Sequence, residues 1–186
     1  MAMRSRAPVL VAVLGASAAI LLVAVGCAAA AILSISDGPG EVSKCQESLH
    51  AAEAMVRTDR WDPPEEMPDL GDYPEIHWQV RAQGSPCSRG PGPTDWAYQG
   101  VVKLRPEDAR RLAERYEFVP WASVDPDELP HSSSPADAWS ALVPFLPTEP
   151  RWLHSRLYNE GNPSPRWRVA FLDVENRTLF FMLNDH

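Results

Sequence analysis

The sequence predicts an α+β protein: an N-terminal transmembrane or signal helix, then one domain with a four- to five-stranded antiparallel sheet and about three helices. Three observations carry this. The first is an uncharged, largely apolar run behind two N-terminal arginines. The second is a set of short segments in which apolar residues return at every second position, the period of a half-buried strand. The third is the placing of helix-spaced apolar residues between those segments, joined by proline-rich stretches. A length of 186 residues allows one ordinary domain with an appendage. Seven Trp and a hydrophobic content of 45% supply a core, which rules out wholesale disorder.

Residues 1–33 are a membrane anchor or a lipoprotein signal. After Arg4 and Arg6 no charged residue appears until Asp37. The apolar body runs from Val9 to Leu33, interrupted at Gly15, Ser17 and Gly26. As a helix it reaches roughly 37 Å, more than the roughly 30 Å hydrocarbon core of a bilayer. The basic end stays inside, and all 25 acidic residues follow the run, so the bulk of the chain is exported. Three fates are open. Apolar sequence continuing past Gly26 favours a retained helix. Ala24-Val25-Gly26-Cys27 looks like a relaxed lipobox, which makes Cys27 a candidate for lipidation. The alanines after it offer A-x-A cleavage sites.

Of the three cysteines, Cys27 belongs to this segment, leaving Cys45 and Cys87 in the exported part. Two thiols outside the reducing cytosol most simply form one disulfide. Free or metal-binding thiols are the alternative. No C-x-x-C is present, so neither a zinc ribbon nor thioredoxin chemistry is indicated.

Residues 34–40 (S-I-S-D-G-P-G) read as a linker, and 41–186 as the extracytoplasmic domain. A helix is expected over Glu41 to Arg57. Val42, Cys45, Leu49, Ala52 and Val56 form one stripe, which would turn Cys45 to the core. Residues 59–74 are proline-rich and acidic, a loop. Ile76, Trp78 and Val80 alternate with polar residues as a first strand, and Trp96 to Leu104 reads as a second, antiparallel to it. Cys87 lies in the Gly/Ser/Pro loop between them.

Pro106, Glu107 and Asp108 have the composition of a helix start, with Leu112, Ala113 and Tyr116 on its inner face. Residues 120–135 read as a loop. Ser134-Pro135-Ala136-Asp137 opens a short helix that carries Trp139 and stops before Pro144. A further strand is expected in Leu153 to Tyr158. Trp167, Val169 and Phe171 alternate with Arg166, Arg168 and Ala170. After a turn at 174–177, Thr178 to Leu183 returns. This last strand is apolar on both faces, so it should be central or covered by a helix. The hairpin Trp167 to Leu183 is expected to be core, with helices on one face of the sheet.

The chemistry is less explicit. A net charge of -8 argues against nucleic acid, whose phosphates need a basic footprint. The phosphate-loop, dinucleotide, nucleophile-elbow and zincin motifs are absent from the sequence. Glu47, His50 and Glu53 have helical spacing suited to a divalent metal, but a single E-x-x-H reads better as a solvated helix face. His131 before Ser132 and His154 before Ser155 offer base and nucleophile types, yet neither serine sits in a strand–turn–helix elbow. Asp125, Asp127 and Glu128 lack EF-hand spacing. No metal or cofactor is indicated.

Aromatic faces outside the cell can stack on sugars or clamp peptides. Trp78, Trp96 and Trp167 fall on the apolar phase of expected strands, and Trp139 on a helix. Trp61, Trp121 and Trp152 border loops and are the candidates for a binding surface.

The layout of a short basic N-terminus, one apolar segment, an exported cysteine pair and a C-terminal hairpin resembles a broad group of small actinobacterial membrane proteins and lipoproteins. The use of 15 Arg against two Lys, with much Ala and Pro, fits a high-GC genome. The resemblance implies a cell-envelope location and carries over no functional residue. The expected function is non-enzymatic binding of an envelope protein or glycan by a membrane-anchored domain. The alternative is a cell-envelope hydrolase or metal-assisted enzyme built from scattered His and Asp/Glu, which should bring two or more of His50, His77, His131 and His154 beside carboxylates.

Overall fold

The computed structural model describes residues 39–87, 95–125, 133–161 and 166–185. The anchor segment, Cys27, His131, Asp127 and Glu128 lie outside them. Among the described residues no helix is long and apolar enough to cross a membrane. The chain divides between Cys45 and Gln46 into two units, and only residues 39–45 of the first are described.

The first helix, α1, spans Pro39–Ala54, so it starts inside the expected linker and ends before Arg57. The early stop has a cause. Arg57 exchanges two backbone hydrogen bonds with Trp78 at 2.8 and 2.9 Å, which draws the chain into an extended path beside the sheet. The expected stripe is only half-buried at Val42, Leu49 and Ala52, and Cys45 is exposed instead of facing the core. Cys45 and Cys87 form the expected disulfide. Cys87 stands in a turn beyond the end of the first strand.

The sheet has six strands, one or two more than expected. They are β1 (Glu75–Gln83), β2 (Asp95–Lys103), β3 (Val119–Pro120), β4 (Leu153–His154), β5 (Trp167–Asp173) and β6 (Thr178–Asn184). Their order is β1-β2-β6-β5-β4-β3, with every neighbour antiparallel. The β1–β2 pairing is the expected one, with Trp78 opposite Gly100. The doubly apolar β6 lies between β2 and β5, as its sequence requires. The extra strand is β3, two residues with a proline in the stretch expected to be loop. The expected strand 153–158 is cut to two residues, because Ser155 caps a second structure there. Its hydroxyl accepts from the Tyr158 N–H at 3.0 Å and starts a short helix, Arg156–Glu160.

Helix α2 (Pro106–Arg115) starts as expected and buries Ala109 and Leu112; the 156–160 helix is α3. Both pack with the 61–70 segment against one face of the sheet, where Ile76, Val102, Ala170, Leu172, Leu179, Phe181 and Leu183 meet. The 59–74 loop is therefore part of the core: it holds a 3-10 turn at Pro64–Glu66 and buries Trp61, Met67 and Leu70. At its centre, Gly100 stands in register between Trp78 of β1 and Phe181 of β6 and leaves the space the Phe181 ring fills. A Cβ there would stand 2.5 Å from the Phe181 ring and 2.9 Å from the Trp78 Cβ.

The opposite face carries Val101, Val169, Phe171, Phe180 and Met182, the hairpin alternation expected of core. No helix covers it among the described residues. Three 3-10 turns do, Trp121–Ser123, Pro135–Asp137 and Val143–Phe145, with Leu142 fully buried between the last two. Trp139 is therefore not helical. Gln99 of β2 takes the bonds a helix would have used: its Nε2 donates to the Asp137 carbonyl at 3.1 Å, and its Oε1 accepts from the Trp139 N–H at 2.8 Å.

Arg168 also departs from expectation. Strand alternation with Trp167 and Val169 reads it as a polar position, yet it is buried among the first core's residues. Its guanidinium donates to the carbonyls of Glu66 and Tyr158 and lies over the Tyr158 ring, 4.4 Å from the centroid. Arg166 reaches both Glu66 oxygens at 2.9 and 3.0 Å and Asp185 at 2.5 Å. These arginines fasten the 61–70 segment to β5. Burial pulls Arg168 below the usual guanidinium range.

Candidate functional site

The β3–β4 ladder pairs Val119 with His154 and Pro120 with Leu153. Continuing that register sets Trp121 opposite Trp152, and the Trp121 N–H does donate to the Trp152 carbonyl, at 2.9 Å. Directly opposed residues of an antiparallel pair project to the same side. Both indoles stand on the second core: Trp121 packs edge-on to Phe171 with centroids 5.0 Å apart, and Trp152 lies 6.4 Å from Phe180. Their remaining faces are half-exposed.

The walls are built by the turns on that face. Ser134 accepts from the Ala136 N–H at 3.2 Å, while the Ser134 N–H donates to Asp137 at 2.8 Å, a reciprocal cap. Gln99 then fixes Asp137 and Trp139 as described. Phe145 in the next turn stacks flat on His77, with centroids 3.6 Å apart. On the far side the Arg151 N–H donates to Asp173 at 2.8 Å, which holds the 150–152 stretch to the β5–β6 turn. Burial acts to raise the Asp173 pKa; hydrogen bonds from Asn176 and from the Arg151 N–H outweigh it, and the carboxyl sits below its usual range.

Between these walls lies a groove of about 680 Å³, within the usual range for ligand sites. Trp121 and Trp152 line it with Pro135, Pro144, Pro147 and Pro150, and among the described residues none of its lining side chains is ionisable. Two of the three sequence candidates are thus brought together. The third, Trp61, is not. It is 7% exposed and meets Trp78, Tyr98 and Phe181 edge-on at 5.1, 5.5 and 5.1 Å, and its indole N–H donates to Glu66 at 3.2 Å. Trp61 belongs to the core. Gln99 is the site residue that sequence reasoning missed, since a glutamine in a strand reads as an outward position.

The chain matches no protein-family model, no curated protein and no solved structure.

A second cavity of about 210 Å³ is lined by Tyr116, Glu117, His154 and Ser155 among others. It tests the His–Ser pairing. The Ser155 hydroxyl gives its one proton to the Tyr116 carbonyl and accepts from the Tyr158 N–H as the cap of α3, so it is held in a structural role. Asn159 accepts from the Ala170 N–H at 2.9 Å through Oδ1, which leaves its Nδ2 to donate to His154 Nε2 at 2.8 Å. His154 Nε2 is thus an acceptor and the ring is neutral; burial lowers its pKa. His77 pairs with Glu75 at 2.6 Å, and His50 is exposed on α1. The Glu53 carboxylate, meanwhile, accepts from the Ala82 N–H. Among the described residues no group of three His, Cys, Asp or Glu is placed to hold a metal ion.

Proposed function

We propose that the chain is a membrane-anchored extracytoplasmic binding module and that the Trp121–Trp152 groove is its ligand surface. The observation that carries this is the convergence of two half-exposed indoles on one groove that has no ionisable lining side chain among the described residues, walled by prolines and held by Gln99 and Asp173. Large rigid aromatics beside apolar walls give contact area at little entropic cost. The apolar N-terminal segment supports attachment to a membrane, and a disulfide suits an oxidising compartment. The hydrolase reading loses the His154–Ser155 pair, because each is engaged in structural hydrogen bonds.

Photocrosslinking in the native membrane tests the proposal. A photoreactive amino acid at Val143, 53% exposed in the groove, should give an adduct. The same group at Arg110, exposed on α2, should not. Adducts from Arg110 with none from Val143 would place binding elsewhere.

A further inference from the structure

Resting on the groove as the ligand surface, we infer that the β3–β4 edge is a proton-operated clamp: protonation of His154 unlocks this edge and releases Trp121 from the groove. The lock is a relay of hydrogen bonds whose direction is fixed at one end. The Ala170 N–H is a backbone donor and donates to Asn159 Oδ1 at 2.9 Å, so Asn159 presents its Nδ2 to His154 Nε2, 2.8 Å away. Only a ring with a lone pair on Nε2 fits. A proton added there sets N–H against N–H, and turning the Asn159 amide moves the same conflict to Ala170. Both side chains are buried, so water relieves neither arrangement unless the structure opens.

The titratable groups around the ring do not rescue the added charge. The cavity that His154 lines brings Tyr116 and Glu117 from the end of α2 and Arg156 from α3. The Tyr116 hydroxyl is turned to Asp69, at 2.5 Å. Glu117 is exposed, so water screens it, and Arg156 is a cation tied to Glu160 at 2.7 Å. On β5 the face that meets His154 carries Asp173 two residues beyond Phe171, and that carboxylate already accepts from the Arg151 N–H and from Asn176. Strand β3 and the turn after it bring Val119, Trp121 and Ser123, none of which ionises here. Burial accordingly holds the imidazole below its ordinary range.

Topology decides what gives way. His154 lies in β4, which pairs over two residues with β5 and over two with β3, the last strand of the sheet. Pro120 has no N–H, and its carbonyl accepts from the Ser123 hydroxyl at 2.7 Å, so among the described residues β3 is paired from one side only. The other four strands run for seven to nine residues. The edge therefore opens at least cost. Trp121 is carried by it: its N–H donates to the Trp152 carbonyl, and its indole lies 5.7 Å from His154 and 5.0 Å from Phe171 between centroids. When the edge opens, the groove loses one of its two indoles.

Amide hydrogen exchange on the full-length protein in detergent micelles, read by nitrogen-15 NMR, tests this. Protection of the Trp121 and Ala170 amides, corrected for the intrinsic pH dependence of exchange, should fall several-fold, to a limit of about tenfold, between about pH 6.5 and about pH 5.5, because opening takes up one proton. The β6 amides should keep theirs. His154→Gln retains an acceptor for Asn159 and cannot titrate, so it should stay protected throughout. Asn159→Asp accepts from both Ala170 and an imidazolium, so it should reverse the sign, with protection lost as pH rises. Unchanged Trp121 protection in the parent chain, a fall shared equally by β6, or a fall that persists in His154→Gln would overturn the clamp. In the native membrane the adduct from a photoreactive group at Val143 should weaken over the same pH step in the parent chain and not in His154→Gln; equal yields at both pH values would also overturn it. No adduct at any pH would count against the groove as ligand surface, while the release of Trp121 is decided by its own amide.

Discussion

Replacing Gln99 by Leu isolates the contact on which the groove depends. The side chain is 6% exposed and makes two hydrogen bonds to a segment with no other backbone ladder to the sheet. Leucine fills similar space but leaves the Asp137 carbonyl and the Trp139 N–H without their partners. Each lost bond removes about 0.5–1.5 kcal/mol net, and an orphaned buried group adds about 1–3 kcal/mol. Both groups are only partly buried, so the sum is discounted to about 2–3 kcal/mol. With a urea slope of about 1–3 kcal/mol per molar for a small domain, the unfolding midpoint should fall by about 0.7–3 M. Gln99→Glu sharpens the test. A protonated carboxyl can still donate to Asp137 and accept from Trp139; an ionised one can only accept. The neutral form is favoured by the fold, so the introduced group has a raised folded-state pKa. The variant should match the wild type below the ordinary carboxyl value of about 4.3 and lose stability as pH rises through the raised value. A Gln99→Leu midpoint equal to that of the wild type, or a Gln99→Glu deficit independent of pH, would refute the clasp.

Three further outcomes follow from the packing. Neutral His154 contributes stability that is full above its ordinary value of 6.5 and is lost as pH falls from there through its lowered folded value, so urea midpoints should drop on acidification and His154→Gln should flatten that slope. Gly100→Ala should cost about 1–3 kcal/mol by overpacking against Phe181, and Phe181→Leu in the same chain should recover part of it; additive losses would contradict the clash. Cys45→Ser should lower stability by about 2–4 kcal/mol, with neither thiol of the wild type labelled before reduction.

The elements legible in the sequence are those whose own residues repeat with a period. Strand β5 alternates, β6 is an unbroken apolar run from Leu179 to Leu183 because both of its faces are covered, and β1 alternates from Ile76 to Val80. Helix α2 announces itself through Pro106, Glu107 and Asp108. What was hidden is held by residues far apart in sequence. Trp61, Met67 and Leu70 are anchors at irregular spacing within an acidic, proline-rich stretch, so the stretch reads as solvated loop although it closes one core. Arg168 reads as a polar-face residue because only the distant carbonyls of Glu66 and Tyr158 make its burial tolerable. Strand β3 has two residues and no period. Without β3 the opposition of Trp121 and Trp152 is invisible, so their position beside loops was the only sign of them, and that sign applied equally to Trp61. The difference lies in tertiary partners: Trp61 finds Glu66 for its N–H and three aromatic edges for its ring.

The measurement that bears most directly on the central claim combines folding and binding in one variant. Val143→Arg places a charge in the uncharged groove at a position already 53% exposed, where no core contact is lost. Photocrosslinking from Thr148 in the native membrane, with the urea midpoint of the same chain, gives both readings. The account predicts an unchanged midpoint and loss of the adduct that the parent chain gives from Thr148. An unchanged midpoint with a full yield of that adduct would contradict it.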